Sequence, residues 1–189
     1  MDEFLHFLLQ FGSLNLVDRD TIARKGKRVQ LKKGELFWEA GVHCKQVGFI
    51  VDGVLRVYYH NGKGEEITSY FIEENHWISD WENSDGSFIP IASLQAITDC
   101  TLVVFSKQDW KEVCDALVGL NSIIPKITTK HKSEKLTRRS PLVSEDATGR
   151  YLSFLENYPN MINRIPLSYV ASYLGIKPPS LSRIRKSIR

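Results

Sequence analysis

Residues 165–189 read IPLSYVASYLGIKPPSLSRIRKSIR. The stretch has the pattern of two short helices joined by a tight turn. Pro166 suits a first helical position, where its missing N–H costs nothing. Leu167, Val170, Ala171 and Leu174 then recur at i, i+3, i+4 and i+7, which is one face of a helix. Gly175 follows at once and can take the left-handed conformation that closes a helix. Ile176 plugs the turn. Pro178 and Pro179 can only open a helix, so the second one begins there. Its inner stripe is Leu181, Ile184 and Ile188, and the opposite side carries Pro179, Ser182, Arg183 and Lys186. This is the pattern of a helix-turn-helix, whose second helix lies in the major groove of DNA. An amphipathic helix pair with solvated cations would share the periodicity. The spacing is the more specific signal: a small residue inside the first helix, glycine four residues on, an aliphatic, then a new helix start.

Outward from this stretch, the charge distribution agrees with it. The 189-residue chain has a net charge of only +3, but the halves differ. Residues 1–120 carry 12 Lys and Arg against 18 Asp and Glu, a balance of −6, and residues 121–189 carry 13 against 4, a balance of +9. A basic end suits a polyanion and an acidic front does not. The length allows one large domain or two small ones. Cys44, Cys100 and Cys114 are far apart and odd in number, with no Cys-x-x-Cys pair, so they read as free thiols of a reducing cytoplasm. The five histidines are scattered with no ligand spacing, so no metal site or cofactor is expected. The N-terminus MDEFLHFLLQFG lacks a cationic leader, and no run reaches the ~18 apolar residues that span a bilayer. A cytoplasmic protein without a membrane partner is expected.

Between Lys27 and Phe105 short β-rich runs alternate with glycine turns. RVQL precedes Lys33-Gly34, ELFW precedes Ala40-Gly41, VGFIV precedes Asp52-Gly53, VLRVYYH precedes the tip Asn61-Gly62-Lys63-Gly64, and EITSYFI precedes Glu74-Asn75. SLQAI and CTLVVFS close the series. Strands of this length and spacing predict an antiparallel sandwich or barrel, with a hairpin around residues 61–64. Residues 2–11 predict a short helix. Ser106 and Asp109 resemble a capping box for a helix through Leu117. Leu120, Ile123, Ile124 and Ile127 continue a helical stripe into the polar KHKSEKLTRR, which Ser140-Pro141 is expected to end. Ser144 or Asp146 caps a further helix carrying Tyr151 and Phe154.

An acidic glycine-punctuated β-domain, a connecting helix and a C-terminal helix-turn-helix together resemble the Crp/Fnr family of bacterial transcription regulators. The β-domain markers are Lys33-Gly34-Glu35, Glu39-Ala40-Gly41, Asp52-Gly53-Val54-Leu55-Arg56-Val57 and Gly64-Glu65-Glu66. The most specific is VASYLGIKPPSLSRI, which looks like the family's DNA-binding signature. The resemblance implies an α+β fold: an N-terminal antiparallel β-roll, jelly-roll-like, over residues 1–115, a connecting and dimerising helix over 116–143, and a small winged helix-turn-helix domain over 144–189. It implies a homodimer through Leu120, Ile124 and Ile127, a palindromic double-stranded DNA operator, and RNA polymerase as a further partner. Carried over by position, Arg183 matches the arginine that takes a guanine, which suits its planar fork. Ser180 sits where a hydroxyl meets phosphate, and Lys186 reaches bases or backbone. Ser182 on the outer side and Lys177 at its start complete the expected DNA-facing set. Pro178 and Pro179 replace a polar pair that many relatives use for base contacts, so readout there is apolar.

The sensor departs from the family's cyclic-AMP binders. Counting back from Gln95-Ala96-Ile97, Pro90 stands where they have a phosphate-binding arginine and Asp80 near their ribose-binding glutamate. No Lys or Arg occurs between Lys63 and Lys107, and a phosphate needs cations or N–H donors to replace its water. Cyclic-nucleotide binding by the family's usual mode is therefore not expected. Trp77, Ser79, Asp80, Trp81, Ile91, Ala92 and Ser93 are the expected lining of an effector pocket, unless Trp77, Trp81 and Phe88 simply fill the core. A ligand-binding module with a degenerate DNA-binding end is the alternative function. An enzyme is not expected: His76, Ser79 and Asp80 are close in sequence, but no nucleophile-elbow motif surrounds Ser79.

Overall fold

The computed structural model describes residues 1–79 and 89–188. Two helices lead the chain. α1 (Asp2–Leu9) buries Phe4, Phe7 and Leu8. α2 (Leu16–Lys25) is held by a reciprocal cap, with Asn15 accepting from the Asp18 amide and Asp18 from the Asn15 amide. Eight strands follow among the described residues: β1 (Lys27–Leu31), β2 (Leu36–Trp38), β3 (Gln46–Asp52), β4 (Leu55–His60), β5 (Glu66–Ile72), β6 (Trp77–Ile78), β7 (Ser93–Ala96) and β8 (Cys100–Ser106). They form two antiparallel sheets in the orders β1-β8-β3-β6 and β2-β7-β4-β5. Five helices complete the chain: α3 (Lys107–Ala116), α4 (Leu120–Ser144), α5 (Ala147–Asn157), α6 (Leu167–Tyr173) and α7 (Pro178–Ser187). The architecture is the expected β-roll, long helix and helical C-terminal part. Among the described residues no strand follows β8, so the helix-turn-helix carries no wing there. None of the helices is long and apolar enough to cross a membrane, again among those residues.

Strand alternation sorts the core into layers. On β3 and β8, Ile50, Leu102 and Val104 point between the sheets and meet Phe37, Leu55, Val57 and Leu94. Val47, Phe49, Val103 and Phe105 point the other way, onto Phe4 and Phe7 of α1, Val113 of α3 and the start of α4. A third core joins Phe71 of the second sheet and Val54 and Ile97 beside it to Tyr151, Phe154, Tyr158, Val170 and Leu181 of the C-terminal part. The β4–β5 hairpin turns at residues 61–64 as expected, closed by the Gly64 amide on the Asn61 carbonyl. Gly53 is required by crowding: its φ is +106°, and a Cβ there would lie 2.7 Å from the Asp99 carbonyl oxygen.

Two expectations about α4 need correction. Leu120 and Ile127 are not a dimer seam. With Ile123 they are at most 2% exposed and lie in the chain's own core, against α1 and the first sheet, and Ile124 packs beside them. Nor does Pro141 end the helix, which runs on to Ser144. Proline forfeits the bond to the carbonyl four residues back. Here that residue, Thr137, is exposed rather than buried, which lowers the cost of the lost bond.

Candidate functional site

The helix-turn-helix forms as its residues demand. Pro166 stands one place before the helix, as the N-cap of α6, with extended ψ. Gly175 has φ +66°, the left-handed value the turn needs. The Ile176 amide returns to the Ala171 carbonyl at 3.0 Å, and Arg150 donates to the Leu174 carbonyl at 2.8 Å, so the carbonyls at the end of α6 are satisfied. α7 opens on Pro178 and Pro179 after Lys177. Leu181 is fully buried under α6, a burial worth about 1.5–3 kcal/mol. Ile184 is half-buried, and Ile188, just past the end of the helix, is 42% exposed. On the opposite side Lys177, Pro179, Arg183 and Lys186 are exposed, while Ser180 and Ser182 are half-buried. Ser182 and Lys186 also border a shallow groove of about 230 Å³ with Leu167 and Arg185.

The back of this unit is docked on the β-roll, which the sequence did not suggest. Ser172 of α6 accepts from the Thr68 amide at 2.9 Å and donates to the Glu66 carbonyl at 3.2 Å, so it satisfies the free edge of β5. Arg56 is 2% exposed and paired with Glu66. It lies over the rings of Tyr58 and Tyr169 at 4.3 and 3.9 Å, and Tyr169 belongs to α6. Such cation–π contacts contribute about 0.5–2 kcal/mol each. Tyr173 donates to the Arg138 carbonyl of α4 at 2.8 Å, and burial pushes its phenol pKa up. Arg164 pairs with Glu74, which also accepts from the Gly53 amide at 2.7 Å. Arg164 thus ties the segment before α6 to the β-roll.

Between the β-roll and α4 lies a cavity of about 460 Å³. Trp38, Tyr70, Phe71, Ile72, Trp77 and Ile78 give it an apolar wall, and Tyr158 adds to it from the C-terminal part. Of the residues expected to line an effector pocket, Trp77, Ser79 and Ile91 do so. Trp77 does both jobs considered for it, since it also stacks on Phe4 at 5.0 Å inside the core. Ala92 and Ser93 do not line the cavity. Ser93 accepts from the Ala40 amide at 3.0 Å and belongs to the sheet, and Ala92 packs towards the core between the sheets. Asp80 and Trp81, like Phe88, lie outside the described residues. Pro90 is buried, and its carbonyl accepts from the Gly41 amide.

The chemistry of the other wall comes from α4. Thr128, His131, Lys132, Glu134, Lys135 and Arg138 all face the cavity. Arg138 pairs with Glu73 and lies 4.4 Å over the Tyr158 ring, and Lys135 lies 4.7 Å over Tyr70. His131 stacks on His76 at 5.0 Å. Burial, and after it the neighbouring imidazole of His76, pushes His131 down to about 4, so it is neutral at neutral pH. Ser79 Oγ and His131 Nε2 are buried without a hydrogen-bond partner among the described residues. The cations missing from the β-roll segment are therefore supplied by the helix that crosses it. The spacing of three between His131 and Glu134 was a visible hint of a shared helix face, but His76 could not be joined to them from sequence.

Residues 28–116 match the cyclic nucleotide-binding domain family. No curated protein sequence matches the chain. Among solved structures, FixK2 from Bradyrhizobium japonicum superposes with a TM-score of 0.73 at 15% identity, covering 86% of this chain and 84% of its own. A putative transcriptional regulator of the Crp/Fnr family from Eubacterium rectale gives 0.72 at 17% identity, over 92% and 83% of the two chains. The c-di-GMP responsive global regulator CLP of Xanthomonas campestris gives 0.69 at 13%, over 92% and 91%. The β-roll therefore matches the cyclic nucleotide-binding domain family over residues 28–116, and the chain shares the fold of these solved regulators.

Proposed function

We propose that the chain is a sequence-specific, DNA-binding transcription regulator that works as a homodimer and takes its signal in the cavity between β-roll and α4. Residues 1–115 act as the sensor, 116–143 as the connecting and dimerising helix, and 144–189 as the DNA reader. The observation that carries this reading is the outer side of α7. It presents Lys177, Arg183 and Lys186 to solvent while Leu181 anchors the helix from behind. Arg183 reads a guanine, Lys177, Ser180 and Lys186 meet phosphates, and Ser182 stands beside them at the groove. Pro178 and Pro179 offer no donors, so they contribute only apolar contact.

The dimer seam is redrawn on the outer face of α4. Val118, just before the helix, and Ser122, Pro125, Thr129, Lys132, Leu136, Arg139 and Val143 along it follow one another at alternating spacings of four and three, and all are exposed, with Lys132 at the edge shared with the cavity. Val118, Leu136 and Val143 are 80%, 72% and 90% exposed. This is a coiled-coil phase with few apolar positions, which fits a dimer that DNA helps to hold. A two-fold axis along it sets the two copies of α7 at half-sites about one DNA turn apart.

The effector differs from the cyclic nucleotide that the domain's name suggests. No arginine stands in the β-roll where a phosphate needs one, and the cavity pairs an aromatic wall with cations and histidines of α4. Titration with cyclic AMP or cyclic GMP should show no binding at physiological concentration. Selection of bound sequences from random duplex DNA tests the function itself. A palindrome with half-sites about one turn apart is expected, and recovery of unselected sequence would refute the reading.

A further inference from the structure

His76 comes from the connection between β5 and β6. His131 and Glu134 lie three residues apart on α4, so one face of the helix presents both. One ring nitrogen of each histidine and a Glu134 carboxylate oxygen lie within 4.8 Å of one another. The hydrogen-bond arrangement singles this cluster out. His76 Nδ1 lies 3.2 Å from the Glu73 carbonyl oxygen and 3.1 Å from that of Glu74. Carbonyls only accept, so Nδ1 carries the proton and Nε2 of the neutral ring offers a lone pair. That lone pair is 3.1 Å from Glu134 Oε2, which is also an acceptor. Two acceptors at this distance need a cation between them, either a second proton on His76 or a metal ion. His131 brings a further buried nitrogen that has no hydrogen-bond partner among the described residues.

We propose that His76, His131 and Glu134 bind a divalent transition metal ion of the Zn²⁺, Co²⁺ or Ni²⁺ kind, which ties the β-roll to α4. Two imidazoles and one carboxylate are a donor set for such ions. Bonds of about 2.0–2.1 Å in a tetrahedral site place donors about 3.4 Å apart. The His76–Glu134 separation is already close to that, and side-chain rotation closes the wider ones. The backbone carbonyls on His76 Nδ1 are the outer support that metal-bound histidines have. All three residues line the 460 Å³ cavity, so the fourth position opens on it and is completed by water or a small ligand. A metal here joins sensor to long helix at the place where a signal must cross. The site stands or falls independently of DNA binding.

The test is a titration of chelator-stripped full-length protein with Co²⁺, followed by visible absorption. One equivalent should bind with d–d bands, without thiolate charge-transfer absorption, and Zn²⁺ should displace it. His131→Ala and Glu134→Gln should each weaken Co²⁺ binding by about tenfold or more, with unchanged circular dichroism. Zn²⁺ should raise the melting temperature of the parent protein and not that of His131→Ala. Glu134→Gln keeps the side-chain volume and serves if His131→Ala fails to fold. The proposal is overturned if the parent protein binds no Co²⁺ up to millimolar concentration, as expected if His76 merely holds a second proton. It is also overturned by thiolate bands, which would place the metal on Cys44, Cys100 or Cys114, or by unchanged affinity in both variants.

Discussion

The two halves of α4 follow the same 3.6-residue repeat and do opposite things. In the first half Leu120, Ile123 and Ile127 are buried against α1 and the first sheet, and the helix is part of the β-roll's core. In the second half the inner face is His131, Glu134, Lys135 and Arg138 against the cavity, and the apolar residues Leu136 and Val143 look outward. The first half is anchored by packing. The second is held mainly by ion pairs, ring contacts and one Tyr173 hydrogen bond, with Leu142 packed on the C-terminal core near its end. Packed cores switch less readily than polar contacts, so on the proposed reading a signal from the cavity moves α4 beyond about Thr128 and leaves its first half in place.

Substitutions in the two halves should therefore fail differently. Ile123→Ala removes a fully buried side chain and should destabilise the protein by about 2–5 kcal/mol, read as a lower melting temperature and denaturation midpoint. A small effect would mean that the first half is not core. Leu136→Glu combined with Val143→Glu should leave the melting temperature almost unchanged, because both sites are exposed. The pair should nonetheless keep the protein monomeric in sedimentation and weaken binding to a palindromic duplex by about a hundredfold or more, since the second half-site no longer binds intramolecularly. Normal dimerisation of this variant would put the seam elsewhere. Arg183→Ala, beyond α4 altogether, should cost about 1–3 kcal/mol of discrimination at one base position and leave stability intact. If it instead lowered the melting temperature and spared operator preference, Arg183 would be a packing residue.

The parts of this fold that were legible are those where one local pattern suffices. The strands announced themselves by alternation and glycine turns, and α7 by Leu181 and Ile184 set against Arg183 and Lys186. α2 was not recognised because only Ile22 of its ten residues is buried, which leaves no stripe to read. Its one signal is Asn15-x-x-Asp18, a capping box written with the shorter side chains. The burial of Leu120 and Ile127 within the chain's own core was illegible for a related reason. A stripe of Leu120, Ile124 and Ile127 says that something covers it, and α1 turned out to be nearer than a second subunit. The cavity was half legible. Its apolar wall lies in one segment around Trp77, but its charged wall comes from α4, and no pattern within either segment reveals that they meet. The docking of Tyr169 and Ser172 on β5 was hidden likewise, since α6 is amphipathic whichever partner it has.

The salt dependence of duplex affinity shows directly whether α7 lies on DNA. With Lys177, Arg183 and Lys186 on phosphates or bases in each of two subunits, log Kd should rise steeply and linearly with log salt, each phosphate contact adding about 0.9 to the slope. Lys186→Ala should lower that slope by about one per lost contact while leaving base preference unchanged. A flat salt dependence between low and moderate ionic strength, with the protein folded throughout, would contradict the account: α7 would then not be a DNA-reading helix.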